Sequence, residues 1–307
     1  MSSEKFFTTK KALITLIAAS LVVIVSLGIR QTFGLFFFDF NADLNISISH
    51  FGFVIGLQLL MWGVFSPIFG FITDRYGGAT AIFIGFLFYL AGLFLFYSGL
   101  NTGYLFTLTI GLLIGIGLGG TAISIPVSVV AKHFPSSNRT IATGIVTCAG
   151  SFGFFVSPLL VRYSLIEIGW EITILYFCFL LGIGLITALF ISTPKTPVGN
   201  NDNNNQTAKE ALIEAFNNKS FIFLTLGFFV CGWHIALVAT HIPTYMMDRG
   251  MPDWTAAMIL ALVGVFNMIG TMGSGYLATK FSKKKVLSAI YLLRGVSLIY
   301  FLYLPPS

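Results

Sequence analysis

Charged residues are scarce in this sequence. Asp, Glu, Lys and Arg make up 9% of its 307 residues, whereas soluble domains carry about 25%. The mean hydropathy is +0.90, and 56% of the residues are hydrophobic. Runs of about 20 apolar residues, which are typical of membrane-spanning helices, fill most of the chain. The composition therefore argues against a water-soluble domain and predicts an all-α polytopic membrane protein embedded in a lipid bilayer.

Cysteine and clustered metal ligands are also scarce. The three cysteines, Cys148, Cys178 and Cys231, all lie within apolar runs and show no metal-ligand or disulfide spacing. No acidic residue lies in the interior of a predicted span, and no span carries a paired acid and base. We therefore expect no metal, no cofactor and no enzymatic activity, and an intramembrane enzyme is the least favoured function.

Nine apolar segments are predicted to span the membrane. They cover residues 12–38, 51–73, 79–98, 104–130, 140–162, 169–191, 220–243, 254–278 and 285–304. With the N-terminus in the cytoplasm, 13 of the 17 basic residues lie on the inner side and two, Arg162 and Arg249, on the outer side. Because short cytoplasmic loops retain Lys and Arg, we predict this orientation in the cytoplasmic membrane. The net charge of +6 then reflects topology and implies no nucleic-acid partner.

One long polar segment divides the spans. Residues 192–219 contain two prolines and an Asn-rich stretch at 200–205, a composition typical of a flexible linker. We predict an N-terminal six-helix bundle over 1–191, a cytoplasmic linker over 192–219, and a partial C-terminal bundle of three helices over 220–307. Because the second group has three spans rather than six, we expect a C-terminally truncated chain.

A short charged turn separates the second and third spans and has a degenerate copy later. The first copy is Gly70-Phe-Ile-Thr-Asp74-Arg75-Tyr-Gly77-Gly78, and the second runs from Gly275 through Lys280 to Lys284. Both copies stand at the same point of a helix hairpin. This weak internal repeat is typical of transporters built from duplicated bundles.

Arg30 is the candidate anchor for an anionic substrate. A charge within a span costs at least ~2.5 kcal/mol on insertion scales, so such residues usually face the bundle interior or water. A guanidinium also pairs with a carboxylate through two parallel hydrogen bonds. The alternatives are that Arg30 reaches the outer interface or pairs with Asp39.

His234 and His241 are the candidate titrating groups, since histidine changes its charge near neutral pH. They stand seven residues apart in the seventh span, on one helix face and about 10 Å from each other. Gln58, Trp62 and Asn267 are further candidates for substrate binding. Each of these polar residues could instead be a packing residue that joins helices. Arg294, in the middle of the ninth span, is also a candidate from its position alone.

The two turns and the linker are similar to those of the major facilitator superfamily. Three stretches are similar to its monocarboxylate and oxalate/formate porters in particular. They are Gly28–Phe36, Lys132–Pro135 with Arg139, and His234–Pro243. The resemblance implies twelve spans, a monomer, and a gating role for Gly70, Asp74, Arg75, Gly77, Gly275 and Lys280. It also implies that the ninth span is peripheral, which argues against Arg294, and that Asp74 locks against a span beyond Ser307. The sequence departs at Gly78 and Ala79, where two basic residues are usual, and at Thr279, where an acid is usual.

These features together predict a secondary transporter of a small organic anion, with a monocarboxylate as the substrate class. Arg30 would anchor the carboxylate, and the histidines would supply a hydrogen bond or couple transport to protons. The alternatives are an efflux transporter of drugs or other hydrophobic solutes, with aromatic contacts such as Trp62, and a truncated, non-transporting membrane subunit or sensor.

Overall fold

The computed structural model describes residues 10–99, 103–192 and 208–303, and every regular element within them is helical. The first part of the chain forms α1 (Lys10–Gln31), a 3-10 turn (Phe33–Phe36), α2 (Phe37–Leu44), α3 (Ile48–Tyr76), α4 (Gly78–Tyr97), α5 (Gly103–Phe106), a π-helical turn (Thr107–Leu113), α6 (Ile114–Thr121), α7 (Ser124–His133) and α8 (Ser136–Leu189). The second part forms α9 (Ala208–Asn217), α10 (Lys219–Asp248), α11 (Asp253–Lys280) and α12 (Lys283–Tyr303). The prediction of an all-α chain is confirmed.

α8 reverses direction at Gly169. Its 54 residues would extend about 81 Å as one straight helix, more than twice the thickness of a bilayer core. Gly169 has φ 78° and ψ 170°, a conformation that is essentially restricted to glycine. The hydroxyls of Ser164 and Thr173 lie 2.7 Å apart, which requires the chain to fold back between them. α8 therefore comprises two packed helices, which correspond to the fifth and sixth predicted spans.

Seven helical segments of the described residues are long and apolar enough to cross a membrane. α12, the ninth expected span, is not among them, and one of the seven contains the reversal at Gly169. A multi-pass membrane chain is confirmed. The total of nine spans and the cytoplasmic N-terminus stay predictions, and most of the predicted linker, residues 193–207, lies outside the described part of the chain.

An aromatic cluster centred on Phe40 fixes the packing of the first helices. The Phe40 ring lies 5.3 Å from the rings of Phe96 and Trp170 and 5.8 Å from that of Phe106. These rings belong to α2, α4, α8 and α5, so one side chain joins four helices. The indole Nε1 of Trp170 also donates to Oδ2 of Asp43 across 2.6 Å. Aromatic pairs at such distances contribute about 0.5–1.5 kcal/mol beyond the area they bury.

Close glycine contacts connect α10 and α11 to the earlier helices. A Cβ at Gly34, in the 3-10 turn, would collide with the carbonyl oxygen of Ala239 in α10. A Cβ at Gly264, in α11, would collide with the backbone nitrogen of Phe155 in α8. Small residues allow helix backbones in membranes to approach closely. These contacts place α10 beside the 3-10 turn that follows α1, and α11 beside α8, so polar residues of both parts of the chain can meet there.

Candidate functional site

Arg30 is buried near the end of α1. Its side chain is 5% exposed, and its Nε and Nη2 atoms have no hydrogen-bond partner among the residues that the structure describes. Tyr89 in α4 lies close enough to interact with it electrostatically. A buried guanidinium is stable only when it is paired or hydrogen-bonded. Arg30 therefore retains unused capacity to bind an anion.

A layer of hydrogen bonds adjoins Arg30. The hydroxyls of Ser26 in α1 and Thr121 in α6 lie 2.7 Å apart, and the Tyr89 hydroxyl donates to the Ser26 carbonyl across 3.4 Å. All three side chains are buried. Ser26 lies one turn from Arg30, so these bonds fix the helix that carries the guanidinium.

A cavity of about 400 Å³ lies between α1, α8, α10, α11 and α12; we call it the polar cavity. It is lined by Gln31, Phe154, His234, Ile235, Val238, Ile259, Leu262, Val263, Phe266, Asn267 and Arg294. Within the described chain, Gln31 Oε1, His234 Nδ1 and Arg294 Nη1 are buried without a hydrogen-bond partner. The polar cavity thus combines unpaired polar atoms with an apolar wall.

A second cavity of about 810 Å³ lies between α3 and α10; we call it the apolar cavity. Its lining is Gly52, Ile55, Gly56, Leu59, Leu60, Trp62, Gly63, Val64, Phe229, Gly232, Trp233, Ala236, Leu237, Thr240 and His241. Two indole rings and few polar groups border this space. Such a surface suits a hydrophobic solute better than a small anion.

The structure distributes the predicted substrate-binding residues over different places. His234 and Asn267 line the polar cavity, whereas Trp62 and His241 line the apolar cavity. The two histidines of α10 therefore border different spaces although they share a helix face.

Arg30 and Gln58 line neither cavity. Gln58 is fully buried and donates from Nε2 to the carbonyl of Ile110, in the π-helical turn, across 3.0 Å. Asn267 is also engaged, since its Nδ2 donates to Ser151 Oγ in α8 across 2.8 Å. These bonds join helices, so Gln58 has a structural contact and Asn267 combines such a contact with a cavity position.

Sequence reasoning gives too little weight to three residues of the polar cavity. The family resemblance argues against Arg294 because it places the ninth span at the periphery, but the Arg294 side chain lines this cavity. Gln31 and Phe154 are not among the predicted site residues. The signal for Gln31 is its position next to Arg30, and the signal for Arg294 is a charge in the middle of an apolar segment. Phe154 carries no signal among the many phenylalanines of the chain.

The charged turn between α3 and α4 is held by contacts on both sides. Nζ of Lys132, at the end of α7, lies 2.8 Å from Oδ1 of Asp74. Gly77 has φ 96° and ψ 155°, and a Cβ at Gly78 would collide with Val129 in α7. Asp74 thus pairs with α7 in this structure, and its lock against a span beyond Ser307 stays a prediction. The Arg75 guanidinium lies 5.6 Å from the centroid of the Tyr76 ring.

The second copy of the turn has fewer contacts. Nζ of Lys280 lies 4.7 Å from the centroid of the Tyr276 ring. A Cβ at Gly275 or at Gly70 would meet no atom within 4 Å, so neither glycine is required by packing in this conformation. The gating role of both turns stays a prediction.

Comparison with known proteins identifies the family. Residues 19–307 match the family described as Major Facilitator Superfamily. The chain belongs to this superfamily. The match covers nearly the whole chain.

The described ranges contain no group of three or more His, Cys, Asp or Glu residues that could hold a metal ion.

Curated relatives and a solved structure are similar to this member of the superfamily over most of its length. The Agnestins efflux protein AgnL12 of Paecilomyces divaricatus is 24% identical over 293 residues, which are 94% of this chain and 65% of the relative. The hexuronate transporter of Bacillus subtilis (strain 168) is 23% identical over 278 residues, which are 85% of this chain and 63% of the relative. The crystal structure of the D-xylose-proton symporter gives a TM-score of 0.62 at 17% identity and covers 88% of this chain and 69% of that one. The chain thus spans about two thirds of the length of these two relatives, and the structural likeness bears on the fold alone.

Proposed function

We propose that this protein is a secondary transporter of a small organic anion, with a monocarboxylate as the substrate class, in the cytoplasmic membrane. The observation that carries the proposal is the buried guanidinium of Arg30, two of whose nitrogens, Nε and Nη2, have no hydrogen-bond partner in the described part of the chain. Among the described residues, the buried charged side chains are two arginines, Arg30 and Arg162, and no buried side chain is acidic. A second arginine with an unpaired nitrogen, Arg294, borders the polar cavity. An interior of this sign attracts anions and repels cations.

The relatives also support an anionic substrate. The hexuronate transporter of Bacillus subtilis is named for an organic anion, and members of the superfamily move solutes between two sides of a membrane by alternating access. In this mechanism, Arg30 binds the carboxylate through its unpaired nitrogens. His234 supplies a hydrogen bond or a titrating proton. The ion pair between Asp74 and Lys132 forms and breaks as the helices rearrange.

Uptake of a radiolabelled monocarboxylate into cells that express this protein tests the proposal. Replacing Arg30 by Gln removes charge-assisted hydrogen bonds, so we expect uptake to fall by about tenfold or more. Arg30→Lys keeps the charge but loses the bidentate geometry, and we expect it to be impaired as well. Arg249→Gln is the matched control, because Arg249 is an exposed arginine that packs on the Tyr245 ring at the end of α10. Normal uptake by an Arg30→Ala protein at equal membrane abundance would end the anchor hypothesis.

A second candidate function is the efflux of hydrophobic solutes. The apolar cavity supports it, since Trp62, Trp233 and Phe229 border a volume of about 810 Å³. The name of AgnL12 also refers to efflux. Retention of a cationic dye in expressing cells separates the two functions: an exporter lowers dye retention and is insensitive to carboxylates, whereas an anion transporter leaves the dye unaffected and is inhibited by carboxylates.

A further inference from the structure

The turn between α11 and α12 carries four lysines within six residues, which we call the lysine cluster. It consists of Lys280, Lys283, Lys284 and Lys285, and all four side chains are exposed. Within the described ranges, none of the four forms an ion pair. The cluster therefore presents its positive charges to the surroundings without a counter-charge from the described protein.

The two copies of the charged turn differ in how their charges are paired. In the first copy, Asp74 pairs with Lys132 across 2.8 Å. In the second copy, Thr279 stands at the position that corresponds to Asp74, and the sequence has no Asp or Glu between residues 254 and 307. Because like charges repel one another, an anion from outside these two helices would stabilise the lysine cluster.

The position of the lysine cluster along the helices corresponds to the depth of lipid headgroups. The apolar part of α11 runs from Trp254 to Leu277 and has 24 residues, which extend about 36 Å and suffice to cross the hydrocarbon core of a bilayer. Lys280 follows three residues later. Tyr276 and Phe281, on either side of Lys280, are 60% and 59% exposed, and exposed aromatic side chains are typical of the membrane interface.

One face of α12 matches the polarity of an anionic phospholipid. Lys283, Leu287 and Ile290 stand at positions i, i+4 and i+7, so they share this face, and all three are exposed. A cation thus precedes two apolar side chains that lead into the membrane. A headgroup phosphate can meet the ammonium while an acyl chain lies on the two apolar side chains. The apolar stem of a lysine also packs along such a surface while its charge stays at the interface.

We propose that the lysine cluster and the exposed apolar face of α12 bind an anionic phospholipid of the adjoining membrane leaflet. In the predicted orientation, this is the cytoplasmic leaflet. A zwitterionic lipid carries its own cation beside the phosphate, so it gains less from the lysines. Each lysine near an anionic membrane surface favours association by about fivefold. The inference goes beyond the proposed function, since neither Arg30 nor a transported solute takes part in this contact.

A fluorophore beside the lysine cluster reports which lipid occupies the site. It is attached through Ser288→Cys, at an exposed position one turn after Lys284, in a protein whose three native cysteines are replaced by alanine. In phosphatidylcholine liposomes, quenching by brominated phosphatidylglycerol is compared with quenching by brominated phosphatidylcholine. We expect a local preference for phosphatidylglycerol of at least about fivefold. Raising the salt from about 0.1 M to about 1 M shortens the Debye length from about 10 Å to about 3 Å, so it should abolish the preference.

Variants of the three α12 lysines separate the cluster from the overall charge. Replacing the three together by glutamine should reduce the lipid preference to about one, and replacing them by arginine should preserve it. The matched control combines Lys10→Gln, Lys11→Gln and Arg139→Gln, which removes three other exposed positive charges and should leave the preference unchanged. Equal quenching by the two lipids in the labelled parent protein would overturn the proposal, and so would an equal loss of preference in the control. Should the triple glutamine variant not accumulate, Lys284→Gln and the salt dependence of the parent protein decide the matter.

Discussion

Nζ of Lys132 donates a hydrogen bond to Oδ1 of Asp74 across 2.8 Å and joins the ends of α7 and α3. The two residues are 58 positions apart in the sequence, so the pair depends on the fold. It connects the charged turn to a neighbouring helix of the same bundle. A contact of this kind stabilises one conformation and must break if α3 and α7 move apart.

We expect Lys132→Gln to impair transport more than stability. Because both partners are solvent-accessible, the loss of the ion pair should lower the free energy of unfolding by less than about 1 kcal/mol. Uptake should fall by about fivefold if the pair stabilises a state of the transport cycle to a similar extent. The combined exchange of Asp74→Lys with Lys132→Asp should restore uptake. Lys219→Gln, at an exposed lysine at the start of α10, is the control, and full activity of Lys132→Gln alone would contradict the gating role.

Gly77 and Gly70 provide a matched pair for the turn itself. Gly77 has φ 96° and ψ 155°, so Gly77→Ala should destabilise the protein by about 1–3 kcal/mol. Gly70 lies within α3, and a Cβ added there would meet no atom within 4 Å, so Gly70→Ala should be neutral or slightly stabilising. Thermal unfolding in detergent, followed by tryptophan fluorescence, measures both. Equal melting temperatures for the two variants would show that the turn does not need a glycine at Gly77.

Substitution of Gly34 tests the contact between the 3-10 turn and α10. A Cβ there would collide with the carbonyl oxygen of Ala239, so Gly34→Ala should push α10 away from the 3-10 turn and disfavour this conformation. We expect lower uptake and faster maleimide labelling of a cysteine placed at Val238, which lines the polar cavity. Gly63→Ala is the control, since a Cβ at Gly63 meets no atom within 4 Å. An unchanged labelling rate in Gly34→Ala would show that the collision is relieved locally.

The positions of the helices along the chain could be predicted from the sequence more accurately than the side of each helix that is buried. The hairpin turn could be placed between α3 and α4 because its charges interrupt two long apolar runs. The orientation of each helix about its own axis is harder to predict, because a membrane helix is apolar on nearly every side and its hydrophobic pattern does not mark the buried face. Gln58 illustrates this limit, since it binds the Ile110 carbonyl and does not face a cavity.

The difficulty of predicting helix orientation also explains which residues of the candidate site could be recognised from the sequence. Arg30 was recognisable because a buried charge is costly at any helix orientation. The grouping of Gln31, His234 and Arg294 depends on how α1, α10 and α12 pack against each other, which no local pattern encodes. The family resemblance argues against Arg294 as a site residue, whereas the cost of burying its charge favours it.

Asn267 shows how a polar residue that joins helices can be distinguished from a substrate ligand. Its Nδ2 donates to Ser151 Oγ across 2.8 Å and links α11 to α8. A double-mutant cycle with Asn267→Ala, Ser151→Ala and both together should give a coupling energy of about 0.6 kcal/mol in thermal or chemical unfolding, the average for such bonds in membranes. If the bond is mainly structural, Ser151→Ala and Asn267→Ala should change the KM for the transported anion to the same small extent. A much larger increase in KM for Asn267→Ala, with strictly additive effects on stability, would instead assign Asn267 to the substrate, because Asn267 also lines the polar cavity.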